Sequence, residues 1–213
     1  EEIEDAGYNI PLTFVDEDNI GSVPIAISSL RKEAMAMLQL AETNLAESMD
    51  ALCGNAFNLE KIRKREKRID YINYEITNYM TLVSSLKMNE SDSTTCNALY
   101  KCFSDIERIG DHAINIIQYS TDEDNKLSSS KYIEDELHQL ASLLSKSFSL
   151  LSTYSLDSQD ECFEKIERIE DRIDELTASY RQAQIERLME KKVNALDCVI
   201  YSEILTDVER VSD

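Results

Sequence analysis

Four glutamate–aspartate pairs, each with its acids four residues apart, are the residues best placed to do chemistry: Glu66 with Asp70, Glu107 with Asp111, Glu170 with Asp174, and Glu209 with Asp213. Positions i and i+4 share a helix face, where two like charges are mildly destabilising unless something neutralises them. Two such pairs side by side would turn four carboxylates toward one point, a hard-oxygen site suited to a divalent or trivalent cation. A plainer alternative needs no metal. Arg68, Arg108, Arg172 and Arg210 sit beside the pairs, and surface ion pairs contribute about 0–1 kcal/mol each. His112, directly after Asp111, is either a fifth ligand, a partner behind a ligand, or an ordinary part-exposed histidine.

The pairs fall at matched places in an internal repeat. Lys61–Asp70 reads KIRKREKRID and Lys165–Asp174 reads KIERIEDRID, identical at six of ten positions with an offset of 104. Asp105–Asp111 (DIERIGD) and Asp207–Asp213 (DVERVSD) match at an offset of 102. Gly110 and Ser212 put a small residue before the last acid. A glycine inside a helix costs about 1 kcal/mol and signals close approach by a neighbour.

The elements that must position these acids are helices. Breaks near Cys53-Gly54-Asn55, at 89–92, at 121–126 running into 128–130, at Asp157-Ser158 and, more softly, at 192–194 leave six of them: about 23–53, 58–88, 93–120, 130–156, 159–190 and 195–213. Pro24 can open the first, Gly54 suits its end, and Ser158 with Glu161 forms a capping-box pattern. Ile62, Ile69, Ile72, Ile76, Met80 and Val83, and again Ile166, Ile169, Ile173, Leu176 and Tyr180, recur at three, four and seven, the spacing of a bundle seam. Short connections imply antiparallel neighbours. The expected fold is all-α, a tandem repeat of two antiparallel three-helix bundles at 22–120 and 128–213, after an acidic, partly extended lead-in at 1–21. At about 100° per residue, Glu66, Asp70, Glu170 and Asp174 lie on the flank of their apolar stripes, and Glu107 and Asp111 lie largely opposite Ile106, Ile109 and Ala113. Any metal site then sits in a surface groove.

Composition narrows the classes. Four Gly and two Pro in 213 residues are too few for the turns of an all-β fold or for a glycine-rich phosphate loop. A net charge of −20 repels nucleic acid and attracts cations or basic partners. Five cysteines without a C-x-x-C spacing argue against a disulfide scaffold or a zinc knuckle and for a reducing compartment. Cys102 falls on an apolar stripe and is expected in the core, as are Met35, Met37 and Met49. His138 has no motif around it, and no nucleophile–base pair is visible, so no enzyme is expected. No apolar run of about 18 residues and no signal peptide occur. The start at Glu1 suggests a piece of a longer protein, and the last helix looks cut short at Asp213.

DIERIGDHAINI (Asp105–Ile116), with the four acid pairs, resembles the phosphate-uptake regulator (PhoU) family, whose members look like tandem three-helix bundles carrying E(D)-x-x-x-D motifs. The resemblance covers about 22–213. It implies that Glu66, Asp70, Glu107, Asp111, Glu170, Asp174, Glu209 and Asp213 hold metal, iron or zinc foremost. The second copy lacks an equivalent of His112. Asp16, Pro24, Ala26 and Ile27 are similar to the stretch that joins the membrane part of bacterial sodium/phosphate cotransporters to a C-terminal PhoU-like domain. That similarity implies a regulatory domain on the cytoplasmic side of the cell membrane, with the membrane-embedded part of the same polypeptide as partner. The alternatives are a free-standing phosphate-signalling regulator and a metal-free helical scaffold. A homodimer is a further candidate assembly. Neither nucleic-acid binding nor membrane insertion of this chain is expected.

Overall fold

The computed structural model describes residues 10–16, 20–122, 126–128, 130–153 and 159–213. Among these residues the regular elements are all helices: α1 (Val23–Leu52), α2 (Leu59–Ser84), α3 (Glu90–Thr121), α4 (Lys131–Ser152), α5 (Gln159–Met189) and α6 (Ala195–Ser212). No helix among them is long and apolar enough to cross a membrane.

Each boundary has a local cause. Pro24 lies in the first turn of α1, where its missing N–H is not needed. α1 ends at Gly54, φ +83°, with the Gly54 and Asn55 N–H groups donating to the carbonyls of Ala51 and Asp50. That pairing closes a helix over a left-handed residue, where glycine has no Cβ to strain. Asn58, Ser130 and Asn194 cap α2, α4 and α6 by accepting from the N–H of Lys61, Ile133 and Asp197. The break expected at 89–92 lies earlier, at 85–89. Asn89 accepts from the Asp92 N–H at 2.8 Å and so opens α3, with Glu90 and Asp92 in the first turn facing the positive helix end. The soft break after 190 has a cause of its own. Lys191 stands at φ 58°, and Lys191 and Lys192 close onto the carbonyls of Leu188 and Arg187. α5 thus ends in the pattern of α1 but at a lysine, at a cost of about 1–2 kcal/mol. Ser158 and the end of the fourth helix expected at 156 lie outside the described residues.

The chain divides into two compact units. The first holds the residues up to Asn44 and Asn58–Asp111; the second holds Leu45–Phe57 and His112–Asp213. The divisions fall inside α1 and α3, not in the connection after residue 120. A 30-residue helix such as α1 is about 45 Å long, so its two ends can be buried in different cores.

In the first unit, α2 and α3 are antiparallel: Glu66 faces Asp111 and Asp70 faces Glu107. α1 meets α2 at the fully buried Asn44, whose amide donates to the Ile62 carbonyl at 3.0 Å while its oxygen accepts from Arg65 at 2.6 Å. Residues 10–16 are pinned to this unit. Arg68 donates to the carbonyls of Ile10 and Pro11, the Phe14 N–H donates to the buried Glu33 at 2.7 Å, and Val15 is buried. The rest of the expected lead-in, 1–9 and 17–19, lies outside the described residues.

In the second unit, Tyr180 donates to Gln139 and the Cys162 thiol faces the Leu150 carbonyl, so α4 and α5 are antiparallel. Glu136 ties three helices, accepting from Arg187 on α5 at 2.5 and 3.1 Å and from the Tyr201 hydroxyl on α6 at 2.7 Å. Matched repeat positions are buried alike: Ile69 and Ile173, Ile76 and Tyr180, Ile106 and Val208. Two expected core residues are not in the core. Cys102 is exposed because Phe103 and Ile106 take the inward stripe, and Met35 is 40% exposed while Met37 and Met49 are buried.

Candidate metal centre

The inward stripe of α2 is Ile62, Ile69, Ile72 and Ile76. Glu66 and Asp70 stand one turn apart on its flank. Antiparallel α3 brings Asp111 across to them, and one carboxylate oxygen from each of Glu66, Asp70 and Asp111 lies within 4.8 Å of the others. Gly110 allows the approach. A Cβ there would meet Ile69 Cδ1 at 3.3 Å and Cγ2 at 3.4 Å, so an alanine would make the Ile69 side chain give by a few tenths of an ångström and a bulkier residue would press α3 away from α2 just beside the acids. Glu66 and Asp70 are half-buried and Asp111 is exposed.

Crowding these charges has a cost. Burial first, then the Asp70 charge and the hydrogen bond shared with Asp70, then Asp111, push the Glu66 carboxyl up to about 7, against a small opposing pull from Lys67. Glu107 is pushed up by burial and then by Asp111 and Asp70, but it lies outside the close group. Three carboxylates converge where four were expected.

The second repeat resolves the same crowding differently. Its acids are neighbours: burial, then Asp213 and Asp174, raises Glu170, and burial, then Glu209 and Asp213, raises Asp174. Glu209, however, is drawn into Arg181, which donates two bonds to it at 2.6 and 2.7 Å, and the Thr177 hydroxyl donates a third at 2.5 Å. The Arg181 bonds hold the Glu209 carboxyl below its ordinary range. Among the described residues, Glu170, Asp174, Glu209 and Asp213 form no group as close as that of the first repeat.

Arg181 is the partner of these acids that the motifs do not include. It stands seven residues after Asp174 and four after Thr177, hence on their face, and that spacing was available in the sequence. Its counterpart at the offset of 104 is Thr77, whose hydroxyl donates to the Asn73 carbonyl. The arginines nearer the motifs turn elsewhere: Arg68 to residues 10 and 11, Arg108 to Asp105 at 3.9 Å, and Arg172 to Glu175 at 2.8 Å.

Neither histidine joins the cluster. His112 Nδ1 lies 2.8 Å from Asp207 Oδ1, an oxygen that also accepts from the Asn115 amide at 3.4 Å. His138 Nδ1 lies 3.1 Å from Cys53 Sγ, a contact that no motif announced. Burial, then Asp50 and Glu134, pushes that thiol up to about 11. It is a thiol at neutral pH, the reverse of what an attacking cysteine requires. The first cluster is the arrangement with a clear chemical capacity. Its donors are all carboxylate oxygens, the set that hard cations take, and zinc prefers nitrogen and sulfur.

Comparison with known proteins bears on the same region. Residues 34–120 match the PhoU domain family, a span that includes Glu66, Asp70, Glu107 and Asp111. The chain is 24% identical over 199 residues, 88% of its own length and 81% of the relative's, to the phosphate-specific transport system accessory protein PhoU homolog 1 of Thermotoga maritima. Its fold is similar to the crystal structure of the phosphate transport system regulatory protein PhoU from Streptococcus pneumoniae, with a TM-score of 0.65 over 90% of each chain at 18% identity. The helical architecture is PhoU-like, and residues 34–120 carry the PhoU domain match.

Proposed function

We propose, from the PhoU domain match over residues 34–120, that this chain is a regulator of phosphate uptake whose state depends on a cation held by Glu66, Asp70 and Asp111. The observation that carries the reading is the coincidence of the two: the close carboxylate group lies wholly within the matched span. A bound cation would supply positive charge at the point where three acids converge. Glu66 and Asp70 fix the site to α2 and Asp111 fixes it to α3, so occupancy would draw the two helices together and vacancy would leave them repelling. The oxygen-only donor set suits hard cations such as magnesium, calcium, manganese or ferric iron better than zinc. We assign the ion to the first repeat because Arg181 already supplies a cation in the second.

A finer reading makes this chain the regulatory domain of a sodium/phosphate cotransporter, held at the cytoplasmic side of the membrane. The pinning of residues 10–16 through Arg68 and Glu33 supports it, since a fixed entry path suits a tethered domain. The accessory-protein relative, matched over 81% of its length, supports the free-standing regulator more strongly. The test is expression of this chain alone in a bacterium lacking its own PhoU regulator, with phosphate uptake measured and the purified protein analysed for metal. Restored control of uptake with bound metal is expected. Control without metal would leave a helical scaffold as the better account, and no control from a folded, metal-loaded chain would overturn the free-standing reading.

A further inference from the structure

Metal-ligating side chains also meet at Cys53 and His138, with none of the eight motif acids among them. Cys53 lies in the turn that closes α1, its N–H donating to the Asp50 carbonyl at 3.1 Å, and His138 stands on α4. Both belong to the second unit. Sγ and Nδ1 are 3.1 Å apart across a sequence separation of 85. Each has a carboxylate about one turn behind it: Asp50 three residues before Cys53, and Glu134 four residues before His138. Both carboxylates are near enough for their charges to act on the thiol, and with burial they push it up to about 11. Other cysteines are placed differently: Cys96 faces the Met88 sulfur, Cys162 faces the Leu150 carbonyl and Cys102 is exposed.

We propose that Cys53 and His138, joined by Asp50 and Glu134, hold a divalent ion of the zinc class. The donors are of the kind the first cluster lacks: a sulfur, an imidazole nitrogen and carboxylate oxygens, the types that zinc takes in fours. Charge points the same way, because the two carboxylates that disfavour a thiolate favour a dication at the same point. The ion replaces the thiol proton, which leaves to solvent, and the sulfur then bonds as thiolate. The geometry asks for a small opening. With bonds of about 2.3 Å to sulfur and about 2.0 Å to nitrogen, a tetrahedral ion holds the two atoms about 3.6 Å apart, about half an ångström more than they are now. His138 is exposed and Cys53 only partly buried, which leaves room for that movement. The carboxylates stand farther out: among the described residues a third donor does not lie within 4.8 Å of both atoms. Residues three or four apart on a helix have Cβ atoms about 5–6 Å apart, a gap that rotation of the Asp50 and Glu134 side chains closes. The group shares no residue with Glu66, Asp70 and Asp111, and the inference does not depend on the regulatory reading.

The test is titration of the whole, reduced chain with cobalt(II), whose bond to a thiolate gives a charge-transfer band in the near ultraviolet that carboxylate ligands do not give. A band that saturates at one ion per chain and is bleached by zinc is expected. Cys53→Ser nearly keeps the shape of the side chain and should abolish the band while circular dichroism shows the helices intact. His138→Ala and, separately, Asp50→Asn/Glu134→Gln should each weaken the binding that the band reports by at least about tenfold, the lower end of what losing a supporting group costs a metal site. Cys102→Ser, at an exposed cysteine, should leave the band as in the parent. No band in the parent, a band that survives Cys53→Ser, or unchanged affinity in either of the other two variants would overturn the proposal. So would saturation at one ion for every two chains, which would make the ion a bridge between copies.

Discussion

Replacing Glu66 by glutamine tests the first cluster at the residue that crowding disturbs most. The folded chain pushes this carboxyl up to about 7 from its ordinary 4.5. Below about pH 4.5 the acid is protonated in the folded and unfolded chain alike and costs nothing. Between 4.5 and about 7 the unfolded chain releases the proton while the folded chain keeps it, so stability falls as pH rises, and above about 7 the loss is complete. At about 1.4 kcal/mol per pH unit the full difference is about 3 kcal/mol. Solvent reaches the half-buried cluster and Asp70 shares the proton, so about 2 kcal/mol is the working figure. Glutamine keeps the shape, can donate its amide N–H to Asp70, and has no charge to bury. In chelator, Glu66→Gln should therefore be more stable than the parent by about 2 kcal/mol near pH 8, or about 4–8 °C in melting temperature for a chain of this size. Near pH 4.5 the two should melt together. Excess divalent cation should shrink the variant's advantage near pH 8, because the parent gains about 2.7 kcal/mol at roughly a hundredfold excess over Kd and the variant gains less. The assay is thermal melting by circular dichroism at fixed ionic strength. Equal stability of the two proteins near pH 8, or an advantage of the variant that persists near pH 4.5, would refute the account of crowded carboxylates.

Two further predictions concern the other copy and the helix contact. Arg181→Gln removes the fork on the half-buried Glu209 and should lower stability by about 1–2 kcal/mol, while isothermal calorimetry should detect an additional divalent-ion site in the second repeat; a variant without a new site would show that these acids lack the geometry to hold one. Gly110→Val places a branched side chain against Ile69 and should cost about 1–3 kcal/mol in denaturant unfolding while weakening cation binding at Glu66, Asp70 and Asp111. Gly110→Ala should be nearly neutral, since its gain of about 1 kcal/mol in helix propensity offsets the tighter contact.

Much of the fold was legible because its signals are local. The three, four and seven spacing of Ile62, Ile69, Ile72 and Ile76 dictates a buried stripe, and Gly54 marks a helix end by chemistry that acts within a few residues. Where the terminator was of the wrong type the reading blurred, as at Lys191, which does a glycine's work. The flank position of Glu66 and Asp70 also followed from angle alone. The convergence of three acids rather than four did not, because it depends on how α3 packs against α2, where Gly110 meets Ile69. The fate of the second copy turned on Arg181, which lies outside both repeated motifs, and the partners of His112 and His138 lie 95 and 85 residues away along the chain.

The contrast between Thr77 and Arg181 sets the reach of any response to cation supply. A guanidinium tethered by its own backbone cannot be washed out, diluted or chelated, so the acids around Glu209 sit in a permanently answered state. If the proposed ion is held at Glu66, Asp70 and Asp111, it could leave, and those acids would register the departure. On the proposed reading, one copy of the repeat could vary and the other could not, as an instrument sets a sensing arm beside a fixed reference. On the same reading, starvation for the ion would act on the first copy and leave the second, answered by Arg181, unchanged.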